Sequence, residues 1–351
     1  MKKLVIGNEA VARGLWEAGC TVISSYPGTP STEITEFAAK MEDIYCEWAP
    51  NEKVAMEVAF GASLNGARSA CAMKHVGMNV AADPLFTMSY TGVNGGLVIC
   101  VADDPAMHSS QNEQDSRHYA IAAKVPMLEP ADSAEALLFA REAFELSERF
   151  DTPVMLRMCT RIAHSQSLVE FGERADTAKK PYVKNPQKYI MMPAYAKKKH
   201  PEVEARTAAI AEFAAESALN RVERGTDAAI GIITSGTSYQ YVREVFGDSA
   251  SVLKLGIVNP LPEKLIRDFA DSVEKLYVVE ELDGIIENFC RAHGIEVAGG
   301  KDMFSPIGEF SQRTVAQAFG KALPDAVSAD SAVPVRPPMM CSGCPHRGLF
   351  Y

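Results

Sequence analysis

Short apolar runs alternate with amphipathic segments along the first half of the chain. Strands are predicted for CTVISSYP, RSACAMK, GGLVICVADD and TPVMLRMCT, which are short, apolar and bounded by turn residues. Helices are predicted for EITEFAAKM and SAEALLFAREAFELSERF. Strands that alternate with helices favour a parallel sheet covered by helices on both faces.

One segment of this half, NEKVAMEVAFGASLNG, is predicted to be a buried helix. Its apolar residues Val54, Val58 and Leu64 are separated by small residues such as Ala55 and Gly61. Small side chains let a helix approach its neighbours closely. We therefore expect this helix to pack tightly within the first α/β unit.

The pattern changes after Glu173, where Lys and Pro become frequent. We interpret 174–225 as a connector across the surface, with a helix that begins near Glu202. A second α/β unit follows, with strands predicted for AAIGIITSG, SVLKLGIVNPLP and KLYVVEEL and helices for SYQYVREVF, EKLIRDFADS and IIENFCRAHG. The predicted organisation is an α/β domain at 1–173, the connector at 174–225, a second α/β domain at 226–324, and a linker with the start of a further domain at 325–351.

Composition and charge narrow the functional classes. A net charge of −10 and a pI near 5.3 argue against a nucleic-acid partner, because phosphate binding needs a basic surface. No apolar run is long enough to span a membrane, and MKKLVIGNEAVARG lacks the pattern of a signal peptide. Since the 8 cysteines lie mostly in apolar runs, we expect a reducing cytoplasm.

The loop SSYPGTPSTEI lies between a predicted strand and a predicted helix. Ser31 or Thr32 can cap that helix, with Pro30 fixing the backbone just before it. Free backbone N–H groups at such a helix start favour an anion such as a carboxylate. The alternative is an ordinary capped βα loop.

Glu52 opens the small-residue helix. A carboxylate at a helix start usually only complements the helix dipole, and the residue taken alone favours that interpretation. The functional alternative is a buried carboxylate directed at a ring nitrogen of a ligand.

Lys74 and His75 end a predicted strand in MKHVGMNVAADPL, before a glycine-rich turn. Open α/β sheets bind ligands at the carboxyl ends of their strands, so either residue could contact a substrate. A solvated rim is an equally good interpretation.

A long polar segment, DDPAMHSSQNEQDSRHYA, follows the next strand. Its Arg117 could clamp a carboxylate, or could form a structural ion pair with Asp115 or Glu113. Its histidines lack the spacing of a metal site. The chain also contains no phosphate-binding loop, no dinucleotide fingerprint and no nucleophile elbow.

Taken together, SSYPGTPSTEI, APNEKVAMEVAFGAS, KHVGMNVAADPL, EQDSRHYA and CSGCPHRGLFY resemble motifs of the 2-oxoacid:ferredoxin oxidoreductases. Within this family, they are most similar to the alpha subunits of the indolepyruvate branch. The resemblance extends over the whole chain and keeps the order of the motifs. It implies an enzyme that binds thiamin diphosphate with Mg²⁺, a pyrimidine-binding domain at 1–173, and a transketolase C-terminal-like domain at 226–324.

The resemblance also implies roles for individual residues. Glu52 matches the glutamate that hydrogen-bonds the aminopyrimidine ring and promotes removal of the thiazolium proton. Thr29 matches a threonine that contacts the substrate, and Arg117 matches, less closely, an arginine near the substrate carboxylate. Lys74 and His75 are further candidate substrate contacts. The remaining candidate coenzyme contacts are Pro27, Gly28, Gly77 and Asn79.

The implied reaction is oxidative decarboxylation of aryl pyruvates, chiefly indolepyruvate. The acyl group would pass to coenzyme A and the electrons to ferredoxin through 4Fe-4S clusters, with a smaller beta subunit as partner. One alternative is another thiamin-dependent 2-oxoacid oxidoreductase or decarboxylase. An alternative of another class is a non-catalytic scaffold fragment that binds a partner subunit.

Cys341 and Cys344, in CSGCPHRG, lie close to the last residue of the sequence. A C-x-x-C pair needs two further ligands to complete a metal site. The resemblance implies that this segment opens a diphosphate-binding domain and that the chain is a fragment, which we expect to be inactive alone. The two cysteines are then either cluster ligands in the complete protein or part of an inert packed turn.

Overall fold

The structure, a computed structural model, describes residues 2–227, 229–322 and 348. The chain divides into two units, 1–321 and 322–351. Only Ala322 and Gly348 of the second unit are described, and Cys341 and Cys344 lie outside the described residues.

Thirteen strands are described, most of them short. They are β1 (Lys2–Ile6), β2 (Val22–Ser25), β3 (Tyr45–Trp48), β4 (Ser69–Lys74), β5 (Leu97–Asp103), β6 (Met127–Leu128), β7 (Val154–Cys159), β8 (Gln166–Glu170), β9 (Arg221–Glu223), β10 (Ile230–Ser235), β11 (Ser251–Leu255), β12 (Ile257–Asn259) and β13 (Lys275–Val279).

Helices separate most of these strands. The α-helices of the described residues are α1 (Gly7–Glu17), α2 (Thr32–Ala38), α3 (Glu52–Leu64), α4 (His75–Thr91), α5 (Arg117–Ala123), α6 (Ser133–Phe150), α7 (Thr160–His164), α8 (Pro186–Tyr189), α9 (Pro193–Glu216), α10 (Gly236–Phe246), α11 (Glu263–Ala270), α12 (Ile285–Ala292) and α13 (Gln312–Ala318).

The largest sheet has 7 strands in the order β12–β6–β7–β5–β4–β2–β3. Its strands pair in parallel except β12, which is antiparallel to β6. A 4-stranded sheet has the order β13–β10–β11–β9, with only β9 antiparallel, and β1 pairs with β8. The edge strand β12 of the largest sheet therefore comes from the second predicted α/β unit.

Side chains of the central strands alternate between two cores. On β4, Ala70 and Ala72 belong to the core that includes α1 and α6, whereas Cys71 and Met73 belong to the core that includes α3 and α4. Successive strand residues point to opposite faces, so both faces of this sheet are covered by helices. The prediction of a parallel sheet with helices on both faces is confirmed.

The smaller sheet shares one of these cores. Ile233 and Leu253 pack into the core of α3 and α4, while Ile232 and Val252 face a separate core with α10 and α13. Burial of apolar surface in one common core joins the two sheets within 1–321.

Several element boundaries differ from the predictions. The helix expected near Glu202 begins at Pro193, because a proline fits the first turn of a helix, and it continues through Pro201. The run SVLKLGIVNPLP contains two strands, β11 and β12, which join different sheets. The residues after Lys74 form the first turn of α4 rather than a glycine-rich turn, since Gly77 lies within the helix.

Helix α3 is less buried than expected. Its buried positions include the small Ala55 and Ala59, whereas Val54, Val58 and Leu64 are half-buried. The small residues therefore provide the close packing against the sheet, and the larger apolar residues face partly outward.

No helix within residues 2–227 and 229–322 is long and apolar enough to cross a membrane. The cysteines that the structure describes form no disulfide; they are Cys20, Cys46, Cys71, Cys100, Cys159 and Cys290.

Candidate functional site

The carboxyl ends of β2, β3, β4 and β5 meet at one edge of the largest sheet, because these strands are parallel. Ligands of open α/β sheets bind at such an edge. The last residues of these strands and the segments that follow them carry the residues singled out in the sequence: Pro27, Gly28, Thr29, Glu52, Lys74, His75, Gly77, Asn79 and Arg117.

Glu52 is the first residue of α3 and is half-buried. The preceding Asn51 caps the helix, since its side-chain oxygen accepts a hydrogen bond of 3.0 Å from the N–H of Val54. The Glu52 carboxylate itself makes no hydrogen bond or ion pair with any residue the structure describes. Its oxygens are thus available to a ligand at the positive end of a helix.

Gly77 provides the space that Glu52 occupies. A Cβ atom at position 77 would lie 2.6 Å from both Cγ and Oε1 of Glu52 and 2.9 Å from its Cδ. These separations are shorter than van der Waals contact, so any side chain at position 77 would displace the carboxylate. Glycine here allows the acidic side chain of α3 to lie directly on the backbone of α4.

Lys74 lies between two of the edge segments. A Cβ atom at Gly28 would be 3.0 Å from Cδ of Lys74, so the lysine stem packs against the loop after β2. The ammonium donates to the carbonyl of Ser109 at 2.7 Å, in the segment after β5. Burial lowers the pKa of Lys74, and attraction to Asp104 partly offsets this effect. The ammonium keeps donors free, because Ser109 is its single hydrogen-bond partner among the described residues.

His75 is fully buried. Its Nε2 lies 3.1 Å from the carbonyl oxygen of Asn112, which can only accept, so Nε2 donates this hydrogen bond. Nδ1 has no hydrogen-bond partner among the described residues. Because Lys74 and His75 are both buried, the interpretation of this pair as a solvated rim is wrong.

Asn79 is already engaged within the protein. Its amide exchanges two hydrogen bonds with that of Gln114, at 2.9 and 2.7 Å, and accepts a third from the hydroxyl of Tyr119 at 2.5 Å. A coenzyme contact by Asn79 therefore stays a prediction.

The loop after β2 is closed by its own hydroxyls. The N–H and the hydroxyl of Ser31 both donate to the carbonyl of Gly28, each at 2.9 Å, and Thr32 accepts from the N–H of Gly28 at 2.8 Å. Ser31 occupies the cap position of α2, but the expected side-chain cap does not form because its hydroxyl turns back to Gly28. Thr29 and Pro27 are exposed at the tip of this loop.

Asn8 supports this loop from beneath and was not found by sequence reasoning. It is fully buried in α1, and its amide donates to the carbonyl of Pro30 at 2.7 Å and to Glu33 at 2.9 Å. One polar residue at a helix start gives no signal in a sequence, because its partners lie in a different segment.

Arg117 is fully buried and forms the ion pair that was the alternative to a substrate clamp. It pairs with Asp115 at 2.6 Å and with Glu280 at 2.6 Å, and it donates to the carbonyls of Glu281 and Asp283. Burial by itself would raise the pKa of Asp115. The positive charges of Arg117 and Arg157 outweigh this effect and hold the pKa of Asp115 well below its usual value. Every guanidinium nitrogen of Arg117 is hydrogen-bonded, so the side chain links the two sheets.

No group of three His, Cys, Asp or Glu side chains is placed to hold a metal ion in residues 2–227 or 229–322. Each of the two histidines in the segment after β5 lies next to a carboxylate: His118 pairs with Asp283 and His108 pairs with Glu309.

A family comparison places the chain in a class of thiamine diphosphate-binding proteins. Residues 13–228 match the family described as pyruvate flavodoxin/ferredoxin oxidoreductase, thiamine diphosphate-binding. This match covers more than half of the chain, and the chain belongs to that family.

Two of the relatives named here align with the chain over its whole length, and a third aligns with about half of it. The indolepyruvate oxidoreductase subunit IorA of Archaeoglobus fulgidus is 42% identical over 100% of this chain and 60% of its own length. The IorA subunit of Pyrococcus horikoshii is 39% identical over 100% of this chain and 59% of its own length. The 2-oxoglutarate synthase subunit KorA of A. fulgidus is 27% identical over 48% of this chain and 51% of its own length. The chain thus spans about 60% of the length of its IorA relatives.

Solved structures share the fold. A 2-oxoglutarate:ferredoxin oxidoreductase from Magnetococcus marinus, with 2-oxoglutarate, coenzyme A and succinyl-CoA bound, has a TM-score of 0.75 at 18% identity, covering 91% of this chain and 65% of that one. A split-gene transketolase, in an inactive beta4 tetramer, has a TM-score of 0.54 at 15% identity, covering 90% of this chain and 97% of that one. The predicted fold class, a thiamin diphosphate-binding parallel-sheet part followed by a transketolase-like α/β part, is confirmed.

Arg117→Met is expected to destabilise the fold by about 3–5 kcal/mol, because Asp115 and Glu280 would remain buried without their cation. The measurement is the free energy of unfolding from chemical denaturation. Arg313→Met is the control, since Arg313 is exposed and has no partner among the described residues, and it should change stability by less than about 0.5 kcal/mol. A stable Arg117→Met protein with only a raised KM would instead support the clamp interpretation.

Gly77→Ala is expected to weaken thiamin diphosphate binding about tenfold or more in the complete protein, a loss of about 1.4 kcal/mol, because the new methyl group displaces the Glu52 carboxylate. Isothermal titration of the complete protein measures this affinity. Gly61→Ala is the matched control, because a Cβ there meets no atom within 4 Å. That change should leave the affinity unaltered and raise helix stability by about 0.5–1 kcal/mol. Equal affinity of the two variants would show that Gly77 makes no room for a ligand-binding carboxylate.

Proposed function

We propose that this chain is the thiamin diphosphate-binding part of the alpha subunit of an enzyme that oxidatively decarboxylates aryl pyruvates, chiefly indolepyruvate. Similarity to IorA subunits over 99–100% of this chain supports the substrate class. One observation of the site carries the proposal: the Glu52 carboxylate, which has no partner in the part of the chain that the structure describes, lies on Gly77 at the carboxyl edge of the sheet.

The residues at this edge fit the coenzyme. Glu52 would hold a nitrogen of the aminopyrimidine ring, with Gly77 keeping its carboxylate in place. Pro27, Gly28 and Asn79 would complete the wall around the ring. When bound, thiamin diphosphate supplies the carbon nucleophile and the electron sink that decarboxylation of a 2-oxoacid requires.

Glu52 itself would supply proton transfer. Its carboxylate would hold a proton at the ring nitrogen and so control the protonation of the opposite amino group. The first position of α3, with Gly77 against it, places this carboxylate at the positive end of a helix.

Two other residues would act on the substrate. The Lys74 ammonium, which keeps donors free, would pair with the carboxylate of the 2-oxoacid, and its burial strengthens this attraction by excluding water. The exposed hydroxyl of Thr29 would hydrogen-bond the keto oxygen. His75 would support Lys74 by fixing the segment that contains Asn112. We assign no substrate contact to Arg117, because all of its guanidinium nitrogens are hydrogen-bonded within the protein.

The remaining parts of the reaction belong to the complete enzyme. The acyl group would pass to coenzyme A and the electrons to ferredoxin through 4Fe-4S clusters, with a beta subunit as partner. The Mg²⁺ that accompanies the coenzyme diphosphate, and the clusters, would be held outside the described residues, where Cys341 and Cys344 are candidate cluster ligands. A reducing compartment such as the cytoplasm suits the free cysteines.

A second candidate substrate is a non-aromatic 2-oxoacid. The similarity to 2-oxoglutarate synthase subunits, 27% identical over about half of the chain, supports this alternative. Competition between indolepyruvate and 2-oxoglutarate for the same enzyme distinguishes the two by their kcat/KM values.

Glu52→Gln is expected to lower the indolepyruvate-dependent reduction of ferredoxin by about 100-fold or more in the complete enzyme, because the shape is kept and proton transfer is lost. Glu57→Gln is the control, since Glu57 is exposed on the same helix, and it should retain full activity. Unfolding temperatures of both variants verify that the fold is intact. Normal turnover by Glu52→Gln would exclude Glu52 from the mechanism and with it the proposed site.

A further inference from the structure

The segment after β5 contains a turn in an unfavourable conformation. The N–H of Met107 donates to the carbonyl of Asp104 at 2.9 Å, with Pro105 and Ala106 between them. Ala106 has φ 68° and ψ 7°, the third position of a type II turn, where glycine or asparagine is usual. Met107 also has a positive φ of 52°. Two consecutive residues of this kind persist only where surrounding contacts hold them, and such positions cluster at ligand sites.

Two carboxylate side chains, those of Glu113 and Asp104, accept the hydrogen bonds that hold this turn. One oxygen of Glu113 accepts from the N–H of Ala106 at 2.5 Å and from the N–H of Gly308 at 2.9 Å. One oxygen of Asp104 accepts from Ser109 and Ser110. The turn is thereby fixed both to its own segment and to the segment at 305–310.

Two exposed apolar side chains are the sequence neighbours of the two residues that share the Glu113 oxygen. Ala106 and Gly308 share the Glu113 oxygen, so the adjoining Met107 and Ile307 lie in the same part of the surface. Met107 is 46% exposed and Ile307 is 74% exposed. Their segment also supplies the Ser109 carbonyl that binds the Lys74 ammonium, two residues after Met107. The segment after β5 thus carries both an exposed apolar side chain and, two residues further on, the carbonyl that binds a cation.

We propose that Met107 and Ile307 form the subsite for the aromatic side chain of an aryl 2-oxoacid whose carboxylate is held by Lys74. This inference rests on the proposed function and specifies its selectivity. A methionine sulfur and its methyl group pack well against an aromatic ring. Binding sites combine apolar walls with a few polar groups, and Met107, Ile307 and Lys74 supply one group of each kind for such a site. Pyruvate has only a methyl group and gains nothing from a surface separated from Lys74 by part of the loop.

The test uses indole-3-propionate, which has the ring and the carboxylate of the substrate but no keto group. Its Kd for the complete enzyme should rise about tenfold in Met107→Ala and in Ile307→Ala, because each loses an apolar contact with the ring. Met192→Ala is the control, since Met192 is 48% exposed in the connector, and its Kd should equal that of the wild type. Unfolding temperatures verify that the surface changes leave the fold intact.

A second measurement is the ratio of kcat/KM for indolepyruvate to that for pyruvate. The ratio should fall about tenfold in the two subsite variants, because only the aromatic substrate loses contacts. The subsite is refuted if wild-type enzyme does not bind indole-3-propionate, or if both variants keep the wild-type Kd and ratio. Failure of the proposed function itself would give a different result. The wild-type enzyme would then turn over neither indolepyruvate nor pyruvate, while the Kd values for indole-3-propionate would still test the subsite.

Discussion

The carboxylate of Glu52 reaches the backbone of α4 because position 77 has no side chain. This contact joins the start of α3 to the first turn of α4, and both helix starts lie at the carboxyl edge of the parallel sheet. An unpartnered carboxylate held at the positive end of a helix is a favourable acceptor for a ring N–H. The rest of the proposed site depends on this arrangement, since Lys74 and His75 belong to the same strand-to-helix transition.

The second sheet contributes to the site through buried and half-buried charges. Arg117 pairs with Asp115 and with Glu280 at the end of β13, which fixes the start of α5 against the smaller sheet. Glu113 is tied to Gly308 in the segment that follows that sheet. The segment after β5 therefore has support on both sides, and it can hold the main chain beside Lys74 in a conformation that isolated residues would avoid.

Much of the fold follows from short-range sequence patterns. The apolar runs at β4, β5 and β7 and the amphipathic pattern of α6 predict their elements, because burial on both faces of a parallel sheet demands them. The sequence could not show that β12 joins the first sheet, since strand pairing over long separations leaves no local pattern. The direct start of α4 at His75 was also missed, because a glycine is read as a turn signal, whereas Gly77 serves a side-chain contact.

The candidate site was found in the sequence mainly by resemblance, since Glu52 alone looks like an ordinary helix-dipole partner. The structure adds the contact that distinguishes it. The most direct measurement is an experimental structure of the complete enzyme with thiamin diphosphate bound. The account predicts a Glu52 carboxylate oxygen within hydrogen-bond distance of an aminopyrimidine nitrogen, about 2.7–3.0 Å. A Glu52 side chain turned toward bulk water, with another group on that nitrogen, would contradict it.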